Sequence, residues 1–170
     1  MIIRRENEKD YEEIYALVKQ AFESAEQADG NEQDLVNNLR SGNAYIPELS
    51  LVAEIDEKIV GHIMFSKAFV GNCEVLALAP LSVLPAYQRQ GIGTALIKEG
   101  HRIAGKLGYS YSVVLGSENY YPKAGYLPAD EYGIKAPFDV PRNNFMAYKL
   151  RDIVPEISGT MKYAKEFGIE

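Results

Sequence analysis

The sequence has little of several residue types, and each shortage narrows what the protein can be. Its 170 residues include one cysteine, Cys73, two histidines and no tryptophan. A single cysteine excludes an internal disulfide and a cysteine-rich zinc site, so we expect a reducing, cytoplasmic setting and no bound metal. No apolar run approaches the roughly 18 residues of a membrane-spanning helix. The opening residues MIIRRENEKD also lack the apolar core of a signal peptide. These features predict a soluble protein with no membrane partner.

Positive charge is scarce except in one segment. The formal net charge is −6, and residues 1–40 carry ten acidic side chains against five basic ones. Residues 86–125 reverse this balance, with five basic side chains against two acidic ones. Binding along a nucleic acid requires a broad cationic surface, so we expect no nucleic-acid partner. The basic segment is compatible with a local anion site.

Length and continuity favour one domain. The chain is close to the usual size of about 150 residues per domain, and no repeat or Ser/Gly linker interrupts it. We expect a single domain over 1–170, with a core of about 1–150 and a C-terminal extension of 151–170.

Hydrophobic spacing predicts the order of elements. A short strand precedes a helix that Asp10 can cap, and a second helix opens near Glu32. Three strands follow, then a helix after residue 91 that ends at Gly108, which is placed for a left-handed cap. Another strand, a short helix and further strands complete the order, and the spacing of Met161 and Phe167 predicts a last short helix. The predicted fold class is α/β with a mixed sheet.

The stretch QRQGIG at 88–93 is the most informative motif. It lies between an apolar strand and an amphipathic helix, where the first-turn amides and the helix dipole favour an anion. Gly91 and Gly93 let the backbone approach a ligand closely, and Arg89 adds charge, so a diphosphate would suit this loop. A tight strand-to-helix connection would also need these glycines. A Walker A loop is excluded because Thr94 stands where it requires lysine, and a Rossmann fingerprint because Leu96 replaces its third glycine.

LSVLPAYQRQGIGTALI resembles motif A of the GNAT (GCN5-related) N-acetyltransferases, with the signature Gln/Arg-x-x-Gly-x-Gly/Ala at 88–93. YYPKAGY at 120–126 resembles the second signature of that superfamily. Together with the later APFDVP, these stretches are similar to the YhbS-type predicted acetyltransferases. The resemblance covers about residues 1–150. It implies a largely antiparallel central sheet flanked by helices and splayed at an acetyl-CoA site, with no metal.

The resemblance also implies roles for individual residues. Tyr121 takes the position of the general acid that protonates the coenzyme A sulfur, and the Val83 amide that of the oxyanion donor. The backbone of Leu81 and Val83 would pair with the pantetheine arm as an added strand. The full set of expected coenzyme-binding residues is Leu81, Ser82, Val83, Gln88, Arg89, Gln90, Gly91, Ile92, Gly93, Thr94 and Asn119.

The general base is less well marked in the sequence. Glu23, Glu26 and Glu32 lie in or beside the segment that in the family borders the acceptor site, and Glu32 is the preferred candidate. For each of these residues, a place on a solvated helix face is favoured over a catalytic role. For His62 in its apolar strand, a buried neutral histidine with one hydrogen bond is favoured over an acceptor-site role. We expect His101 to face solvent.

These patterns predict an N-acetyltransferase that moves an acetyl group from acetyl-CoA to a primary amine by direct transfer. The acidic N-terminal segment favours a small cationic acceptor. A binding module that holds acyl-CoA without turnover is the competing class, and O-acetyl or longer-acyl transfer is a third. A homodimer is an expectation from the family alone.

Overall fold

The computed structural model describes residues 1–23 and 29–169. Its three helices are α1 (Tyr11–Phe22), α2 (Glu32–Arg40) and α3 (Ile92–Lys106). Its strands are β1 (Ile2–Arg5), β2 (Tyr45–Ile55), β3 (Lys58–Val70), β4 (Cys73–Val83), β5 (Tyr111–Leu115), β6 (Leu127–Pro128), β7 (Ile134–Lys135), β8 (Phe145–Lys149) and β9 (Gly159–Lys162). Short 3₁₀ turns fill several of the connections.

The strands form one mixed sheet in the order β1-β2-β3-β4-β5-β8-β6, and β9 joins β3 to β7. All neighbours along the main path are antiparallel except β4 and β5, which are parallel. With helices packed on the sheet, this confirms the expected α/β class with a largely antiparallel central sheet.

The β4–β5 junction is much shorter than the strands it joins. Only the pairs Leu76–Ser112 and Ala77–Val113 are in register, although β4 continues to Val83 and β5 to Leu115. Beyond the second pair the strands diverge, and we call the opening between 78–83 and 114–115 the fork. The expected splay in the sheet is therefore present.

α3 packs closely on one face of the sheet because glycines remove side chains from the contact. A Cβ on Gly61 of β3 would lie 3.0 Å from side-chain atoms of both Ile92 and Leu96, and one on Gly100 would overlap the Phe65 ring. Gly108 follows α3 at φ +94°, as predicted for the cap. This packing fixes the N-terminus of α3 beside the end of β4.

A buried polar cluster lies on the other face of the sheet. Glu6 accepts hydrogen bonds from Arg40 of α2 (2.8 Å) and Tyr45 of β2 (2.7 Å), and its other oxygen lies 3.2 Å from His62 Nε2. Burial alone would raise the pKa of Glu6, but the hydrogen bonds from His62 and Arg40 outweigh it and hold that pKa well below its usual range. His62 is fully buried and also contacts the Ser50 hydroxyl (3.1 Å), so the buried reading of this histidine is confirmed. The cluster ties β1, α2, β2 and β3 together.

The last segment differs from the sequence expectation. Residues 159–162 form strand β9 rather than a helix, and Met161, 1% exposed, pairs with Val70 of β3. A single 3₁₀ turn, Lys165–Phe167, follows. The three-residue spacing of Met161, Ala164 and Phe167 imitates a helical face. In fact Met161 is buried because it belongs to strand β9, and Phe167 is half-buried in the turn after it.

Candidate functional site

A cleft of about 1370 Å³ opens at the fork. Residues of both diverging strands line it, among them Leu81 and Val83 on β4 and Val114 and Leu115 on β5. From there it extends along the loop that precedes α3 and across to α2 and the C-terminal turn. Pockets for one drug-sized ligand usually measure about 300–1,000 Å³, so this cleft has room for a second molecule beside a first.

The loop at one end of the cleft presents backbone amides to it. Gly91 caps α3 at φ +84°, and the first helical hydrogen bond runs from the Ala95 amide to the Gly91 carbonyl (3.0 Å). The amides of Ile92, Gly93 and Thr94 therefore have no partner within the helix. Arg89 also has a positive φ (+62°), which completes the sharp entry into α3. The arrangement is a helix N-terminus open to an anion, as the motif predicts.

Strand alternation decides which β4 backbone groups face the fork. The Leu84 amide donates to the Val60 carbonyl of β3 (2.9 Å). The register continues with the pairs Gly61–Val83, His62–Ser82 and Ile63–Leu81. Because hydrogen-bonded and non-bonded pairs alternate in an antiparallel ladder, Ser82 points its backbone groups at β3. Those of Leu81 and Val83 point away from β3 and into the fork, where no strand within residues 1–23 and 29–169 pairs with them. The Gln88 side chain donates a hydrogen bond to the Val83 carbonyl (3.1 Å), and the Val83 amide remains for a ligand in the fork.

Tyr121 lies at the wall of the cleft beside the end of β5. A Cβ on Gly116 would overlap the Tyr121 ring, so this glycine allows the ring to lie against the strand end. Tyr120 and Tyr126 contact it edge-on at centroid distances of 5.1 and 5.7 Å. Burial raises the pKa of Tyr121, so its phenol is protonated at neutral pH. Tyr120 also lines the cleft, with its hydroxyl directly over Gly93.

A buried hydrogen-bonded chain supports Tyr121 from behind. The Tyr126 hydroxyl lies 2.8 Å from the Ser112 hydroxyl and 2.9 Å from His101 Nε2. The His101 ring stacks on Tyr148 at 4.1 Å with planes 9° apart. The expectation that His101 faces solvent is therefore wrong, because Tyr126 and Tyr148 cover this side of α3. Burial lowers the pKa of His101 to about 4.

The carboxylate proposed as general base is engaged in its own loop. Glu32 begins α2 as expected and lines the cleft. Its two oxygens accept hydrogen bonds from the amides of Asp29 (2.8 Å) and Gly30 (3.1 Å). Glu23 is exposed just after α1, and Glu26 lies outside the described residues. The structure thus gives Glu32 a role in fixing the entry to α2, and its part in catalysis stays a prediction.

Most of the predicted site residues meet in this cleft. Those that line it are Glu32, Leu81, Val83, Gln88, Arg89, Gly91, Ile92, Gly93, Thr94 and Tyr121. The Ser82 side chain, on β4, is buried, and Asn119 is exposed. The Gln90 side chain donates a hydrogen bond to the Ala86 carbonyl (3.3 Å). These three are not among the lining residues, and their contact with a coenzyme stays a prediction.

Several lining residues were not predicted from the sequence. They are Phe22, Asp34, Leu35, Phe138, Val140, Tyr163, Glu166 and Phe167. Phe22 ends α1, the others lie in α2, in the 138–141 loop or after β9, and no motif marks them.

Over residues 1–23 and 29–169, no helix is both long and apolar enough to cross a membrane. In the same ranges, no group of three or more His, Cys, Asp or Glu side chains is placed to hold a metal ion.

Comparison with known proteins is consistent with this geometry. The model of the acetyltransferase (GNAT) family matches residues 11–126. The N-acetyltransferase YjhQ of Escherichia coli K12 is 35% identical over 130 residues, which is 74% of this chain and 72% of that protein. The N-acetyltransferase YhbS of the same strain is 29% identical over 171 residues, which is 98% of each chain.

Two solved structures share the whole architecture. The Escherichia coli YhbS structure in complex with CoA has a TM-score of 0.88 at 29% identity, covering 98% of this chain and 91% of that one. A GNAT family acetyltransferase from Brucella melitensis in complex with acetyl-CoA has a TM-score of 0.81 at 32% identity, covering 98% and 97%. The match to the family model spans more than half of the sequence and agrees with the fork, the α3 loop and the sheet order. The chain therefore belongs to the acetyltransferase (GNAT) family and is an acyltransferase.

Proposed function

We propose that this protein transfers the acetyl group of acetyl-CoA to a primary amine within a ternary complex. The observation that carries the proposal is the fork itself. Two strands pair at only two positions and then diverge, and the cleft between them ends at the free amides of α3. Such a site can take an extended thiol-bearing arm between the strands and a diphosphate at the helix.

Coenzyme binding follows from these backbone groups. The backbone groups of Leu81 that face the fork and the Val83 carbonyl would pair with the pantetheine amides, and the Val83 amide would remain for the thioester oxygen. The pyrophosphate would lie at the 88–94 loop, near Arg89 and Lys123, which both line the cleft. Two related proteins have been solved in complex with CoA and with acetyl-CoA, which supports coenzyme binding by this chain.

The transfer step assigns one role to each nearby group. An unprotonated amine attacks the thioester carbonyl and forms the new C–N bond, while the Val83 amide stabilises the oxyanion. The C–S bond then breaks, and the Tyr121 phenol gives its proton to the departing thiolate. The amine nitrogen loses its surplus proton, which restores Tyr121 through solvent. Overall an ammonium ion and acetyl-CoA yield an amide, free coenzyme A and one proton.

No covalent acyl-enzyme is needed for this sequence of steps. The single thiol, Cys73, begins β4 and lies outside the cleft lining, and burial raises its pKa. A thiol with a raised pKa is a poor nucleophile at neutral pH. Direct transfer predicts that double-reciprocal plots at several acetyl-CoA concentrations intersect.

The test combines binding and turnover on the same preparation. Calorimetry with acetyl-CoA should give one site per chain, and thiol release should depend on added amine. Acetyl-CoA alone is the matched control for hydrolysis. Tight coenzyme binding without thiol release for any amine, amino acid, polyamine or alcohol would contradict the proposal and favour an acyl-CoA-binding module. Parallel double-reciprocal lines would contradict direct transfer.

A further inference from the structure

The half of the cleft away from the α3 loop is walled by aromatic rings. Phe138, Tyr163 and Phe167 form a continuous row, with centroid distances of 6.1 Å from the first to the second and 5.1 Å from the second to the third. Phe138 is itself held edge-on against Phe145 of β8 at 5.9 Å. Phe22, at the end of α1, lines the same cleft. Because each ring of the row packs against another, the wall is preorganised.

The charges of the cleft differ between its two ends. Asp29, Glu32 and Asp34, from α2 and the residues just before it, line the cleft, as does Glu166 in the turn that follows β9. Glu166 lies against Gly42, just after α2, so this turn and α2 are neighbours. Among the described lining residues, the cations are Arg89 in the loop before α3 and Lys123 beside Tyr121. The part of the cleft beside α2 is therefore acidic, and the part beside the α3 loop is basic.

We propose that the acceptor is an arylalkylamine, that is, a primary amine joined by a short alkyl chain to an aromatic ring. This inference rests on the proposed function, since it names the second substrate of the same cleft. The ring would lie against Phe138 and Tyr163, where offset or edge-on stacking is available. The acids attract the ammonium form into the cleft. The short chain then brings the nitrogen to the thioester between Tyr121 and the Val83 amide.

The aromatic row favours this acceptor over a polyamine. A polyamine carries several ammonium groups along its length, and each would need a carboxylate or water in place of the aromatic wall. Here the acids lie on the α2 side of the cleft, and the wall offers rings. One charge next to one apolar group is the distribution that matches this lining.

The test is a panel of amines with saturating acetyl-CoA and thiol release as the readout. We expect kcat/KM for 2-phenylethylamine to exceed that for n-butylamine by about ten-fold or more, because the aromatic ring is transferred from water to an apolar wall. The non-aromatic analogue 2-cyclohexylethylamine should fall between them. A preference for spermidine, or for a lysine or N-terminal peptide, would overturn the acceptor class while leaving acetyl transfer intact. No thiol release with any amine would instead overturn the proposed function.

Variants of the wall make the test specific to these residues. Phe138→Leu and Tyr163→Leu keep apolar volume and remove the ring, so each should lower kcat/KM for 2-phenylethylamine about ten-fold. The value for n-butylamine should stay within about two-fold, and calorimetric affinity for acetyl-CoA should be unchanged. Phe69→Ala, at an exposed ring on β3 outside the cleft lining, is the control. If one wall variant does not fold, the other suffices. Equal losses for both amines would overturn the assignment.

Discussion

One half of the cleft is lined mainly by backbone groups and the other mainly by side chains. The coenzyme half consists of backbone: fork-facing groups of β4, the entry at Gly91 and the first-turn amides of α3. The acceptor half consists of side chains, namely a row of rings and several acids. Most amino-acid substitutions leave the backbone amides and carbonyls in place. A wall made of side chains, in contrast, is altered by every substitution within it. Under the proposed function, the first half would carry the chemistry common to the family, and the second would carry the selectivity of this protein.

Tyr121→Phe should have the largest effect, because this is the one side chain on which the coenzyme half relies for a proton. General acid catalysis contributes about 10²–10⁴-fold, so turnover should fall within that range. Calorimetric affinity for acetyl-CoA should stay close to that of the wild type, since the ring and its contact with Gly116 remain. Tyr120→Phe, which removes the neighbouring hydroxyl over Gly93, is the control. Wild-type turnover in Tyr121→Phe would remove this residue from the mechanism.

The second prediction concerns stability at acidic pH. His101, in the hydrogen-bonded chain behind Tyr121, is a titratable group. His101 has a pKa of about 4 in the folded protein and an ordinary value of 6.5. Between these pH values the unfolded chain binds more protons than the folded one. The contribution of His101 to the free energy of unfolding is therefore fully present above pH 6.5 and is lost as the pH falls towards 4. The loss by pH 4 is of order 3 kcal/mol in the free energy of unfolding.

His101→Gln isolates this contribution, since glutamine can still hydrogen-bond Tyr126 and does not titrate. Urea unfolding of both proteins between pH 7 and 4 should show a shallower decline in the variant. The carboxylates titrate in both proteins, and their contribution cancels in the difference. Identical slopes between pH 6.5 and 5 would contradict the assignment.

The smallest of the three effects is on acetyl-CoA affinity, and it tests the coenzyme half alone. Gly91→Val forces a branched side chain onto a φ of +84° at the anion site. We expect acetyl-CoA affinity to fall about ten-fold, since the first-turn amides shift.

Gly108→Val is the matched control for this substitution. Gly108 has a φ of +94° at the opposite end of α3, and a Cβ at either glycine would meet nothing within 4 Å. Both variants should lose about 1–2 kcal/mol of stability from the left-handed conformation. Only Gly91→Val should lose affinity, by calorimetry. Equal affinities in the two variants would argue against a phosphate site at this loop.

The coenzyme half could be predicted from the sequence because its signals are local. Gly91, Gly93 and the amphipathic face of α3 lie within a few residues of one another, and glycine is required where a backbone must turn or be approached. The apolar runs that end near Val83 and Leu115 also marked both sides of the fork. The same local patterns predicted α1, α2 and the cap at Gly108.

The acceptor half could not be predicted because its residues meet only in the folded chain. Phe138 and Tyr163 are far apart in sequence, and neither belongs to a periodic pattern. The sequence predicts an exposed His101 for the same reason, since its covering residue Tyr148 comes from a distant strand. It also predicts a helix in place of β9, because apolar residues there recur every three positions. In each case tertiary contacts outweighed the local pattern.

The short β4–β5 junction places two open strand edges inside a sheet. Proteins usually shield such edges, because unpaired amides and carbonyls can recruit a strand from another molecule. In the proposed complex the coenzyme lies along the open edge at Leu81 and Val83. The bound cosubstrate would therefore also shield this edge from other strands. The empty protein should be the form most prone to self-association, and loading with coenzyme should suppress it.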